Sequence, residues 1–104
     1  MAATISGFDW DEGNTTKCER HGVAKAEIEA LFRGSPKVRP VTKHSAQEMR
    51  LQAIGQTEAG RRVFAVFTLR ERGGKTLIRP ISARFMHAKE VQHYEQETDS
   101  RLSH

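Results

Sequence analysis

The chain has 104 residues, of which 37% are hydrophobic, and it carries 17 Lys and Arg against 13 Asp and Glu. This length predicts a single domain, which we place at residues 1–96, followed by a polar tail at residues 97–104. No apolar run approaches the ~20 residues that span a bilayer, and the first residues lack the pattern of a secretory signal. We therefore expect a cytoplasmic protein with no membrane partner. The single cysteine, Cys18, excludes an intramolecular disulfide.

Positive charge is concentrated in the middle of the chain. Residues 1–34 carry a net charge of −2, residues 35–94 a net charge of +8, and residues 95–104 a net charge of −2. Such a segment favours contact with the phosphates of a nucleic acid or with an acidic protein surface. A solvated sheet face without a ligand explains the charge equally well.

The first third of the chain predicts one extended segment and two helices. Three apolar residues, Ile5, Phe8 and Trp10, predict a strand or extended arm. A polar turn at residues 11–14 should end it. A short helix through Lys17 and Arg20 should stop near Gly22. A clearer second helix, with Gly34 placed to end it, carries an apolar stripe at helical spacing formed by Ala24, Ile28, Leu31 and Phe32.

The segment from Ser35 onward indicates strands. Pro36 and Pro40 confine the first strand to a sheet edge or a loop, because proline cannot donate to a ladder. A second strand is expected at residues 51–56. The next, at residues 63–67, is apolar on both faces and should be the central strand, covered on each side.

The last strand and a final helix complete the predicted elements. A glycine hairpin leads into a strand at residues 76–83, which Pro80 should interrupt by a bulge or confine near an edge. Residues 86–96 have the composition of a helix. Helices first, then an antiparallel meander, then a helix: this order predicts an α+β domain with an antiparallel sheet, two N-terminal helices and one C-terminal helix.

Several short segments occur in a characteristic order and spacing between Phe8 and Glu95. They are Phe8-Asp9-Trp10-Asp11-Glu12-Gly13-Asn14 with Arg20-His21-Gly22-Val23, then His44-Ser45 with Glu48 and Arg50, Ala53-Ile54-Gly55, Val66-Phe67-Thr68, and Ile81-Ser82-Ala83-Arg84 with Tyr94-Glu95. Together they resemble the BrnT family of bacterial toxins. Two positions depart from the family pattern: Arg20 stands where Lys is common, and Ala46-Gln47 where acidic residues are common.

The resemblance implies a fold, an activity and a partner. The fold would be that of the RelE and ParE toxins, and the activity would be metal-independent RNA cleavage that arrests translation. A BrnA-like antitoxin with a ribbon-helix-helix domain would neutralise the toxin, and the complex would reach operator DNA through the antitoxin. Two alternatives stay open: a non-catalytic toxin that acts by protein contact, as ParE toxins do, and a corepressor that acts through its antitoxin.

Metal-free RNA cleavage needs cations for the phosphate and groups that move protons. Arg50, Arg79 and Arg84 lie on or at the ends of predicted strands, where a rigid sheet can hold guanidinium groups against a phosphate. Arg79 shares a strand face with apolar residues, so its head must reach a rim or find a partner. Arg84 could equally pair with a carboxylate such as Glu95.

Histidines supply the candidate proton-transfer groups. His87, near Arg84, is the better general acid–base candidate, whereas for His21 a structural role at its turn is favoured over catalysis. General phosphate attraction is assigned to four further residues, Arg20, Arg61, Arg62 and Lys89. The spacing Cys18-x-x-His21 suits a metal, but no second Cys/His pair completes a site, so we expect neither a metal nor a cofactor.

Overall fold

The computed structural model describes residues 5–41 and 49–93 of the chain. Five strands and two helices follow in the order β1 (Ile5–Phe8), α1 (Glu12–Glu19), α2 (Lys25–Arg33), β2 (Lys37–Pro40), β3 (Leu51–Gln56), β4 (Arg62–Arg72) and β5 (Lys75–Phe85). A third helix, α3, occupies residues 88–93. The expectations for His44, Ser45, Glu48, Tyr94, Glu95 and the tail lie outside the described residues.

The strands form one sheet in the order β1-β5-β4-β3-β2. Strands β2 to β5 make an antiparallel meander, whereas β1 pairs with β5 in parallel. The α+β class is confirmed, but the fully antiparallel sheet and the helices-first order are wrong. The chain enters through β1 at one edge and passes through both helices before β2 forms the other edge, so the sheet is mixed and the helices lie between strands.

Helix α1 begins with a reciprocal cap. The Asp11 carboxylate accepts the backbone N–H of Asn14 at 2.9 Å, and the Asn14 side chain accepts the Asp11 N–H at 2.7 Å. The turn predicted at residues 11–14 is therefore wrong, because these residues form the first turn of the helix. The buried Asn14 amide also donates to the carbonyl oxygen of Pro80 at 2.8 Å, which ties α1 to β5.

Helix α2 buries the predicted apolar stripe against β3. Ile28 and Leu31 are almost completely buried, and the Gly34 N–H donates to the carbonyl oxygens of Ala30 and Leu31 at the helix end. A Cβ atom at Gly55 would lie 2.6 Å from Cδ1 of Leu31, so the end of the Leu31 side chain packs directly on the glycine backbone and would have to shift for any larger residue. The helix and its end are confirmed, but Ala24 of the predicted stripe is the exposed cap residue before the helix and is not part of its buried face.

The two faces of the sheet differ in their cover. Val63, Ala65 and Phe67 of β4 alternate into the main core under α1 and α2, which we call the helix face. Phe64 and Val66 point to the opposite face and are half-buried. The central position of this strand is confirmed. Its cover on the second face is partial, because Thr68 and the neighbouring Ile54 are buried there while Phe64 and Val66 stay half-buried.

Candidate nucleic-acid interface

The face opposite the helices is basic. Strand alternation and cross-strand register place cationic side chains from four strands on it: Lys37 and Arg39, Arg50 next to β3, Arg62 and Arg70, and Arg79 and Arg84. None of the described strand positions that share this side, from residue 37 to residue 85, is acidic. We call it the basic face.

A bulge in β5 brings Arg79 and Arg84 to the same face. The register passes from Val66↔Ser82 to Phe67↔Pro80, so one additional residue of β5 is accommodated beside Pro80. Arg79 and Arg84 are an odd number of residues apart, and strict alternation would have placed them on opposite faces. The bulge predicted from Pro80 is confirmed, and it has a direct consequence for the site.

The Arg84 guanidinium is held by a carboxylate. Its two Nη atoms donate to the two carboxylate oxygens of Glu90 at 2.7 and 2.8 Å, and its Cζ lies 5.1 Å from the centre of the Phe64 ring. The side chains of Arg84 and Glu90 are 38% and 36% exposed. Hydrogen bonding to Glu90 raises the pKa of Arg84. Pairing with a carboxylate is thus observed, with Glu90 as the partner; Glu95 lies outside the described residues.

Glu90 also organises the start of α3. Its carboxylate accepts the backbone N–H of His87 at 2.9 Å, which is the helix-to-cap half of a capping box. The hydrogen bonds from Arg84 first and from His87 second lower the pKa of Glu90 to about 2. Glu90 therefore stays ionised at neutral pH and is a poor proton acceptor, whereas the exposed His87 lies at the same end of the face.

Arg79 is anchored to the region before α1. Its guanidinium donates to the Asp11 carboxylate at 2.8 Å and lies 3.5 Å from that of Asp9, and its side chain is 21% exposed. The hydrogen bond to Asp11 raises the pKa of Arg79. Beside it, residues of α1 and Ile81 line a shallow pocket of about 540 Å³. Arg79 was expected to reach a rim or find a partner, and its partners are Asp9 and Asp11, the second of which is the cap residue of α1.

Arg50 completes a second cationic end of the basic face. The Val41 N–H donates to the Arg50 carbonyl oxygen at 2.9 Å, which extends the β2–β3 ladder, and Thr68 lies between Arg50 and Arg79 in the cross-strand row. The Arg50 Nε is buried and has no hydrogen-bond partner among the described residues. Thr68 and Phe64 are four residues apart on β4, so this row and the Arg84 row are separated by about 13 Å.

The structure thus separates the predicted site residues into groups. Arg62, Arg84, His87 and Lys89 lie at one end of the basic face or on α3, and Arg50 and Arg79 lie at the other. Arg20 and His21 occupy the turn between α1 and α2, on the helix side of the sheet. Arg61 lies with its Cζ 3.5 Å from the centre of the Phe85 ring, which packs against the main core.

Sequence reasoning missed three residues of this surface. Lys37 and Arg39 share the basic face with the predicted arginines, and strand alternation counted across the meander could have found them. The third is Glu90, which falls within the helix predicted at residues 86–96 but was given no role. Its position three residues after His87 is a capping-box spacing, which is a sequence signal for the start of a helix.

The described residues hold no further candidate site for a metal ion or a reactive thiol. No group of three or more His, Cys, Asp and Glu side chains that could hold a metal ion occurs there. Burial raises the pKa of the Cys18 thiol to about 11, in keeping with its place in the core. Among the described helices, none has the length and apolar character to cross a membrane.

Comparison with known proteins identifies the family. Residues 10–90, which include all of α1, α2 and β2 to β5, match the family described as ribonuclease toxin, BrnT, of type II toxin-antitoxin system. A search of curated proteins gives no match. A type II system pairs its toxin with an antitoxin, so the family supplies a class of activity and a class of partner. The chain belongs to the BrnT family of ribonuclease toxins of type II toxin-antitoxin systems.

Proposed function

We propose that this chain is a metal-independent endoribonuclease that binds RNA on its basic face and arrests translation by cutting it. The observation that carries the proposal is the array of cations from four strands on one side of a sheet, with no acidic strand residue among them. Arginine forks match phosphate oxygens in pairs, and a sheet holds them at fixed spacing. Ribonuclease activity is the activity of the family.

The two cationic ends are given different tasks. The two rows lie about 13 Å apart along β4. The Arg79 and Arg84 guanidinium groups are each held by a separate carboxylate, so each row is assigned its own phosphate. The scissile phosphate is assigned to the Arg84 end, because the exposed His87 lies there, whereas the carboxylates beside Arg79 are those of Asp9 and Asp11, which are engaged in ion pairs with it. Arg50 and Arg79 bind a neighbouring phosphate, and Arg62 and Lys89 add attraction near the reacting group.

The reaction proposed is attack by the RNA's own 2′-hydroxyl. That oxygen forms a bond to the adjacent phosphorus while the bond from phosphorus to the 5′ oxygen breaks, leaving a 2′,3′-cyclic phosphate and a 5′-hydroxyl end. His87 takes the proton of the 2′-hydroxyl as a base and returns it to the departing 5′ oxygen as an acid. The Arg84 N–H groups stabilise the negative charge that builds up on the phosphate oxygens.

The partner proposed is a BrnA-like antitoxin with a ribbon-helix-helix domain. An antitoxin is the partner of the family, and the finer identity follows from the sequence resemblance. The antitoxin neutralises the toxin, and its own DNA-binding domain carries the complex to operator DNA. A RelE/ParE-like arrangement of the mixed sheet is part of the same proposal.

Incubation of the purified chain with single-stranded RNA tests the activity. Cleavage should persist with a chelator present, and the products should carry cyclic phosphate and 5′-hydroxyl ends. RNA with a 2′-deoxy nucleotide at the cleaved position should stay intact, because the attacking oxygen is missing. Cleavage that stops with the chelator overturns the metal-independent route, and intact RNA under every condition favours a toxin that acts by protein contact.

A further inference from the structure

We propose that Glu90 is a positioning residue for RNA cleavage, holding the Arg84 guanidinium in the orientation in which it meets the phosphate. This inference rests on the proposed ribonuclease function. It assigns a task to the carboxylate that contacts Arg84 at the end of the basic face assigned to the scissile phosphate. A carboxylate at this place repels RNA phosphates. Its benefit is that it fixes the orientation of the Arg84 guanidinium.

The contact between the two residues fixes the plane of the guanidinium. Two parallel hydrogen bonds, 2.7 and 2.8 Å long, join both Nη atoms of Arg84 to both oxygens of Glu90. A fork of this kind removes the rotation that a single hydrogen bond leaves free. Guanidinium has five N–H donors, so three remain for a ligand. The Arg84 side chain is 38% exposed, which gives a ligand access to it.

Glu90 is itself held in place from a second side. The His87 N–H donates to the same Glu90 oxygen that receives the Arg84 Nη1, at 2.9 Å, so the carboxylate is fixed to the first turn of α3. The aromatic ring of Phe64 lies beside the guanidinium on the sheet. Arg84 is therefore placed between a strand and a helix start, and His87 is placed beside it by the same carboxylate.

Helix α2 provides a matched comparison inside the same chain. Glu27 stands three residues after the cap residue Ala24 and accepts its backbone N–H at 2.9 Å, the same capping bond that Glu90 makes. No arginine contact of Glu27 is found among the described residues. The substitution Glu27→Ala therefore removes a helix cap alone, whereas Glu90→Ala removes a cap and the Arg84 contact together.

Glu90→Gln separates the two contacts of Glu90. Glutamine keeps a carbonyl oxygen for the His87 N–H, as it does in capping boxes generally. It presents an NH₂ group to one Nη of Arg84, where two donors face each other and the fork is lost. A purely capping role predicts normal activity for Glu90→Gln. A positioning role predicts that this variant and Glu90→Ala lose activity alike.

The experiment measures kcat, KM and thermal unfolding of the full chain on single-stranded RNA. We expect Glu90→Gln to lower kcat by about 10- to 100-fold, the size found for partners that orient a functional group, with KM changed little. Glu27→Ala should lower the unfolding temperature and leave kcat unchanged. Normal kcat in Glu90→Gln, or an equal loss in Glu27→Ala, overturns the positioning role.

Arg84→Ala distinguishes failure of the positioning role of Glu90 from failure of the proposed ribonuclease function. If Arg84→Ala is inactive while Glu90→Gln is normal, Arg84 acts in cleavage and needs no positioning by Glu90, so this inference alone is overturned. If Arg84→Ala cuts RNA as well as the unsubstituted chain, or if the unsubstituted chain cuts none, the proposed function or its active end is wrong, and the inference falls with it.

Discussion

Replacement of Gly55 by alanine tests how closely α2 packs on the sheet. The added Cβ would lie 2.6 Å from Cδ1 of Leu31 and 3.3 Å from Cβ of Pro36. Carbon atoms in contact prefer about 3.5–4.0 Å, so Leu31 must move by roughly 1 Å. Leu31 is 1% exposed, so its end must move within the core and not into solvent. Overpacking of this kind costs about 1–3 kcal/mol, and the lower entropy of the unfolded chain offsets only about 0.4–1 kcal/mol.

Chemical and thermal unfolding measure this cost. A net loss of about 1–2 kcal/mol should lower the unfolding temperature by roughly 4–8 °C per kcal/mol for a domain of this size. Leu31→Val removes the clashing end of the side chain, so the double variant should be destabilised by less than the sum of the two single changes. Unchanged or increased stability of Gly55→Ala, or simple additivity with Leu31→Val, contradicts the observed packing of α2 on β3.

Three further outcomes follow from the basic face and its ion pairs. Arg84→Ala should relieve growth arrest and lower cleavage per folded molecule by about 10²- to 10³-fold, the usual effect of removing one charge-stabilising donor, and Arg84→Lys should restore activity only in part. Arg79→Ala should lower both activity and thermal stability, because Arg79 holds Asp11 at the cap of α1, whereas Arg72→Ala, which loses an exposed contact to Asp9, should matter little in growth assays. The pKa of Glu90 is lowered from 4.5 to about 2, so its pairing with Arg84 stabilises the fold fully above pH 4.5 and is lost as the pH falls toward 2. In unfolding measurements over this pH range, Glu90→Gln should therefore lose less stability than the unsubstituted chain.

Local patterns were sufficient to predict most of the elements. The helical spacing of Ile28 and Leu31, the two prolines around β2 and the apolar run of β4 each act within a few residues, and each predicted its element correctly. Pairing of β1 with β5 joins segments about 70 residues apart, and no local pattern contains it. The first turn of α1 was missed for a different reason, since Asp and Asn favour turns and helix caps alike.

The candidate site was predictable to the level of residue type. Positive charge in the middle of the chain pointed to phosphate binding, and the arginines of β5 were identified by their place on a strand. Their partners were not, because the contacts of Arg79 with Asp11 and of Arg84 with Glu90 depend on how α1 and α3 meet the sheet. The bulge beside Pro80 was expected, but its effect on the facing of Arg79 and Arg84 requires the register.

Salt dependence of RNA binding tests the central claim, that the basic face meets RNA, most directly. Binding of 2′-O-methyl RNA, which cannot be cut, is measured over a series of salt concentrations for the unsubstituted chain, Arg39→Ala and Arg50→Ala, with Arg33→Ala as the control. Arg33 lies on α2 with its side chain 68% exposed, so its loss removes the same charge from the helix side. We expect each basic-face variant to reduce the slope of log affinity against log salt by about 0.7, the value for one phosphate contact on a single strand, and Arg33→Ala to leave it unchanged. Equal slopes for all four proteins, or a reduction in Arg33→Ala as large as in Arg39→Ala, contradict the assignment of RNA to the basic face.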